Sequence, residues 1–136
     1  SKIETSSNKI TLKGRLNHQK CIDLLENSHF SIFFRPNTRV SRAGYPGKAK
    51  EAFDHGIPII TNNTGDLAVY TKNGYNGFVF NSFNELELEY EIEKILNKEQ
   101  EDLNEVLRNA GKENPFQQKL FKKDIEYFFN NLKFIK

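Results

Sequence analysis

Three short runs in this chain, Phe30–Phe34 (FSIFF), Ile57–Thr61 (IPIIT) and Asn76–Phe80 (NGFVF), are dense in β-branched and aromatic residues and show little polar alternation. Runs of this kind are strands covered on both faces. Pro58 falls at the beginning of its run, where a missing N–H donor does least harm. Segments with helical spacing lie between the runs, so each strand reaches the next by a crossover and not by a hairpin. Strands alternating with helices imply right-handed crossovers and a parallel sheet. A fourth run, Ile10–Lys13, ends at Gly14 and is expected to be a further short strand.

The helical segments follow from apolar spacing and from end signals. His18–Asn27 offers Cys21, Ile22, Leu24 and Leu25 to one face. Gly47–His55 is a short helix with Pro46 before its start and Gly56 just past its end, each where it suits the backbone. Asp66–Thr71 is another, with Asp66 as its N-cap or first residue, and Asn73-Gly74 is a turn. Beyond residue 82 no strand signal remains. Phe83–Asn97 is an acidic helix with Leu86, Leu88, Ile92, Ile95 and Leu96 as apolar positions, and the run Glu85–Glu93 reads as a solvated face. Glu101–Gly111 is a second tail helix, closed by Gly111. After a break at Asn114-Pro115 comes a third, Phe116–Leu132. Its stripe of Leu120, Phe121, Ile125, Phe128, Phe129 and Leu132 is expected to face the core, with docking on a partner domain as the alternative.

Composition narrows the function classes. At 136 residues the chain is one domain, 1–136, large enough for a real core. A formal charge of +2, with lysines and glutamates intermingled, gives no basic face for nucleic acid. Cys21 has no partner for an internal disulfide and is expected to be a buried, inert thiol. His18, His29 and His55 have no metal-ligand spacing, and no metal site is expected. No apolar run has the length of a membrane span, and the N-terminal residues lack a signal peptide's apolar segment. A cytoplasmic chain with at most peripheral membrane association is the expectation. The absence of an initiator methionine points to a chain processed, trimmed or cut from something longer.

Chemistry concentrates in RVSRAGYPGKAKEAFDHG, Arg39 to Gly56. A loop through Gly44, Tyr45, Pro46 and Gly47 enters a helix that carries Lys48 and Glu51. Free backbone N–H groups at such a start can hold a phosphate, and the helix dipole favours the same anion. A carboxylate one turn further in can accept hydrogen bonds from a pair of sugar hydroxyls. In a parallel sheet the ligand lies at the carboxyl ends of the strands. There the order of elements puts Gly14–Asn17 with Arg15, Arg35–Gly47 with Arg39 and Arg42, and Asn62–Asp66. The residues describe a nucleotide or nucleotide-sugar site. An ordinary loop–helix connection with solvated charges is the competing account.

From about Ile10 to Phe80 the chain resembles the C-terminal, donor-binding half of the group 1 (family 4) retaining glycosyltransferases of GT-B fold. The segments that carry the resemblance are ITLKG, CIDLLENSHFSIFFRP, AGYPGKAKEAFDHGIPIITNNTGDL and NGYNGFVF. The ordered series of segments is more specific than any one of them. The resemblance implies a Rossmann-like parallel α/β sheet with flanking helices, a partial GT-B C-terminal domain, and a helical C-terminal tail. It implies that Glu51 holds the ribose hydroxyls of a nucleotide-diphosphate sugar. Amides around Gly44–Gly47 face the donor sugar or its diphosphate, and Thr64, Gly65 and Asp66 lie beside the same diphosphate. Lys48 is an additional cation or a solvated helix lysine. Helix N-termini and basic side chains take the place of a metal, so no cofactor is implied.

Two departures accompany the resemblance. Ala43 stands eight positions before Glu51, where the family often has a first glutamate that contacts the transferred sugar. Only nine residues precede Ile10, so the family's first two strands, a basic pair that neutralises the leaving diphosphate, and the N-terminal acceptor-binding domain are expected to be missing. A chain without them is expected to be inactive alone and to self-associate, for instance as a homodimer, to cover open strand edges. The catalytic residues are left unassigned. The implied reaction of the parent enzyme is transfer of a hexose from a UDP-, GDP- or similar sugar to a carbohydrate or lipid-linked acceptor, as in polysaccharide biosynthesis. A non-catalytic, truncated transferase-like interaction domain acting through Phe116–Leu132 is the alternative. A nucleotide-sugar epimerase of the same fold is a third.

Overall fold

The computed structural model describes residues 10–81 and 84–132. In chain order the elements are α1 (His18–Glu26), β1 (Ser31–Ile32), α2 (Arg39–Ala43), α3 (Gly47–Asp54), β2 (Ile59–Asn62), α4 (Leu67–Tyr70) and β3 (Gly77–Phe80). The tail follows as α5 (Glu85–Leu96), α6 (Gln100–Lys112), a 3₁₀ turn Gln118–Phe121 and α7 (Lys122–Asn131). The strands form a parallel sheet of order β1-β2-β3. Ser31 stands opposite Ile59, Ile59 opposite Gly77 and Asn62 opposite Phe80. The α/β class and the helical tail are as the sequence implies.

Side chains alternate across β2 and divide the interior in two. On one face Ile59 packs with Ala49, Ala52 and Phe53 of α3, Leu67 of α4, Ala110 of α6, and Phe116. On the other, Ile60 joins Phe78 and Phe80 of β3, Ile95 of α5 and Val106 of α6. Helix α6 therefore feeds both clusters. It passes close to the end of α3, where a Cβ on Gly56 would stand 3.1 Å from the Cα of Gly111. Gly56 itself has φ +70°, the left-handed value that ends a helix most easily on glycine.

Several expectations are corrected. Ile10–Lys13 is not a strand: Ile10 and Leu12 are exposed, and no neighbouring strand among the described residues pairs with this segment. Phe30–Phe34 is not buried on both sides. Only Ser31–Ile32 pairs, at the edge of the sheet, and Ile32 is 55% exposed. Residues 39–43, expected as loop, form a helical turn because the Thr38 hydroxyl caps it by accepting from the Ser41 amide. Gly111 lies inside α6, which runs on to Lys112. Cys21 is exposed, since α1 buries no residue fully and reaches the core only through partly buried Leu25.

The tail departs furthest from expectation. Phe116 is buried and precedes the last helix, packing its ring 4.2 Å from that of Tyr70. The turn Gln118–Phe121 then redirects the chain. Leu120, Ile125, Phe128, Phe129 and Leu132 are exposed, so the stripe does not face the core of the described residues. Residue Phe83, the expected start of the acidic helix, lies outside the described residues.

Close strand spacing gives a direct test. A Cβ on Gly77 would stand 2.5 Å from the Ile59 carbonyl oxygen and 2.7 Å from Thr71 Cγ2. The first neighbour is main chain of the central strand and cannot yield cheaply. Gly77→Ala is expected to lower unfolding stability by about 1–3 kcal/mol, read from the urea midpoint.

Candidate functional site

The carboxyl ends of β1 and β2 meet the start of α3, and the chain there is held by side chains as much as by sheet. Ser31 donates to the Pro58 carbonyl at 3.0 Å and Phe33 to that of Ile60 at 3.1 Å. At the next rung the Arg35 amide turns to the side-chain oxygen of Asn62, 2.8 Å away. Asn62 Nδ2 donates back to the Arg35 carbonyl at 2.8 Å, and the Thr64 hydroxyl donates to the same carbonyl at 3.2 Å. Asn62 and Thr64 are both buried. Buried polar groups of this kind are stable only when their bonds are made, and here they are.

Beyond this clamp the chain forms α2 and the Gly44–Pro46 loop, then enters α3. The Arg35 guanidinium donates to the Gly44 carbonyl at 3.1 Å. A Cβ on Gly44 would stand 2.5 Å from Arg35 Nη2, so glycine leaves room for this seat. Tyr45 is largely exposed and meets the buried Phe116 ring edge-on at 6.2 Å. Pro46 is the N-cap of α3, and its carbonyl accepts from Lys50 at 3.0 Å. The Gly47 amide is already bonded to the Tyr45 carbonyl at 2.9 Å. The amides of Lys48 and Ala49 have no acceptor among the described residues, which leaves the first turn of α3 electropositive.

A cavity of about 540 Å³ opens at this point, lined by Phe33, Arg35, Tyr45, Pro46, Gly47, Lys48 and Glu51. Five of the residues singled out from sequence thus share one wall-to-wall space, and Gly44 borders it through Arg35. Larger space, about 870 Å³, lies beside β3 and α5, but it is lined by none of these groups. Arg42 is exposed and donates to Asn37 at 3.2 Å, while its main-chain oxygen would stand 2.7 Å from a Cβ on Gly65. Thr64 faces inward. Asp66 precedes α4 without a capping hydrogen bond, and Arg15 is exposed in the coil before α1. Neither Arg15, Arg42 nor the residues Thr64–Asp66 line the cavity. Ala43, the last residue of α2, is exposed.

Glu51 is the carboxylate of the cavity. Lys48 donates to its Oε2 at 2.9 Å, and His18 Nδ1 lies 4.0 Å from its Oε1. The Lys48 hydrogen bond holds the Glu51 carboxyl below the usual range, against partial burial, and the same bond raises Lys48. Phe33 and Arg35 escaped the sequence reading as site residues. The available signal was a cation directly following an apolar run at the carboxyl end of a strand. Among the described residues no group of three His, Cys, Asp or Glu is placed to hold a metal ion, and no helix is long and apolar enough to cross a membrane.

Because Glu51 is depressed in the folded state, the stability it contributes is fully present above the unfolded carboxyl value of about 4.3. It is lost as pH falls below that. The pair is partly exposed, so the contribution is at most about 1 kcal/mol. Lys48→Ala is expected to move the Glu51 titration midpoint upward, toward the ordinary carboxyl range, as read by carboxyl-carbon chemical shift. Glu51→Gln is expected to make the acid loss of stability shallower.

The family assignment rests on the sequence over residues 2–114, which matches the group described as Glycosyl transferases group 1. No individual curated protein matches the chain beside it. The matched span contains the three strands, α1 to α6 and every residue lining the cavity. The chain belongs to the group 1 glycosyl transferases.

Proposed function

We propose that this chain is the donor-binding part of a retaining glycosyltransferase of GT-B fold, and that the cavity under the Gly44–Gly47 loop receives a nucleotide-diphosphate sugar. The observation that carries the proposal is the convergence of Glu51, the electropositive start of α3 and the Gly44–Gly47 loop on one cavity at the carboxyl edge of the sheet. Family membership supplies the reaction class, and a nucleotide sugar is the general partner of that class. An ionised carboxylate can accept from both hydroxyls of a ribose, and Glu51 stays ionised well below neutral pH. The phosphates then fall toward the first turn of α3.

In the transfer proposed, the bond between the sugar's anomeric carbon and the diphosphate oxygen breaks and the diphosphate leaves with the electron pair. A hydroxyl of the acceptor forms the new bond on the same face and passes its proton to the leaving diphosphate oxygen. Charge builds on the leaving diphosphate, so stabilising it is the main task of the donor side. The acceptor is taken to be a carbohydrate or a lipid-linked acceptor, the transferred unit a hexose, and the setting cytoplasmic. Thr64–Asp66 and the cations Arg15 and Arg42 do not line the cavity and stay in the proposal as residues beyond it. No metal or other cofactor is assigned a part.

A second reading, a transferase-like interaction domain, draws on one observation: the exposed Leu120, Ile125, Phe128 and Phe129 of the tail. Calorimetric titration with UDP, GDP and their hexose conjugates separates the two. Saturable binding of one nucleotide, weakened about ten- to a hundredfold by Glu51→Ala, is the expected outcome. Absence of binding for all of them in the unaltered chain would favour the interaction domain.

A further inference from the structure

Arg35 entered the sequence reading only as the first residue of the Arg35–Gly47 segment at the ligand edge, and its placement is the more heavily determined of the two cations that line the cavity. Its main chain is fixed at both polar atoms by buried side chains, Asn62 to its N–H and Asn62 with Thr64 to its carbonyl. Its side chain is seated by the Gly44 carbonyl, 3.1 Å from Nη1, where a Cβ at position 44 would force the guanidinium to shift. That bond uses one N–H of the five a guanidinium carries.

Charge balance separates Arg35 from its neighbour. The cavity is lined by two cations, Arg35 and Lys48, and one carboxylate, Glu51. Lys48 is committed to Glu51 at 2.9 Å. Among the described residues no carboxylate lies within ion-pair distance of Arg35. The net positive charge of the cavity therefore resides on Arg35. A planar fork of donors, anchored at one N–H by the Gly44 carbonyl, suits the paired oxygens of a phosphate.

We infer that Arg35 is the fixed phosphate-binding cation of this cavity, taking an oxygen of the ligand's diphosphate while Glu51 takes its sugar hydroxyls. This rests on the donor-site proposal above and adds a division of labour within it. The carboxylate reads the nucleoside, and the guanidinium reads the phosphates. Lys48 serves Glu51.

The test uses the whole chain with four probes (UDP, GDP and the corresponding nucleosides, uridine and guanosine) in equilibrium dialysis against radiolabelled ligand. Arg35→Gln is expected to weaken the preferred nucleoside diphosphate about ten- to a hundredfold and to leave its nucleoside within about twofold. Arg35→Lys is expected to recover part of the loss, because the charge returns without the fork. Glu51→Ala is expected to weaken nucleoside and nucleoside diphosphate alike. An equal loss of nucleoside and diphosphate in Arg35→Gln would show a loop support and overturn the inference, leaving the donor site intact. Unchanged diphosphate affinity in Arg35→Gln, with the Glu51→Ala loss present, overturns it in the same way. If the unaltered chain binds none of the probes, the donor site and the role of Arg35 fall together.

Discussion

A single amide side chain decides where the sheet stops and the site begins. The main-chain ladder between β1 and β2 runs through Pro58 and Ile60, and the next acceptor in line would be the Asn62 carbonyl. Its side-chain oxygen takes the bond from Arg35 instead, and its Nδ2 satisfies the Arg35 carbonyl. Arg35 can leave the plane of the sheet without stranding either polar atom, which inside a protein would cost about 1–3 kcal/mol each. Apart from Phe33, what shapes the cavity lies at or downstream of that departure: the capped turn α2, the Gly44 carbonyl over the guanidinium, and the first turn of α3. Asparagine at position 62 is a structural cause of the cavity.

The sheet was readable because β2 is buried along its whole length, so its apolar run had no second interpretation. The same logic failed at Phe30–Phe34. An apolar run reports that some surface covers it, and it does not say whether that surface lies on both faces or at an edge. Here Phe30 and Phe34 lean on the Phe78–Phe80 cluster while Ile32 between them is left open. Glu51 and the Pro46-Gly47 helix start were legible for a local reason: their meaning depends on neighbours within one turn of helix. Arg35 was not, because its meaning depends on Asn62, twenty-seven positions further on.

The tail teaches a related lesson. Periodicity marked the apolar stripe of residues 120–132, and periodicity carries no information about what the stripe meets. Phe116 took the core position instead. It sits among Phe53, Tyr70 and Tyr45, which links the C-terminal segment to the loop that roofs the cavity. Asn114 steadies the approach by accepting from the Phe116 amide at 2.9 Å and donating to Asp54 at 2.8 Å. The geometry of Tyr45 thus depends on a residue seventy-one positions away, which spacing alone could not reveal.

Contact between Gly56 and Gly111 has a consequence for how the two halves of the interior can vary. Helix α6 delivers Ala110 to one cluster and Leu103 and Val106 to the other, and its distance from α3 is set where two residues without side chains touch. A volume change in either cluster thus presses on a helix that the other cluster also uses. Substitutions at Phe53 and at Ile95, which share no direct contact cluster, need not sum as independent perturbations. Because α6 contributes to both clusters, a volume change in one core is expected to alter what the other tolerates.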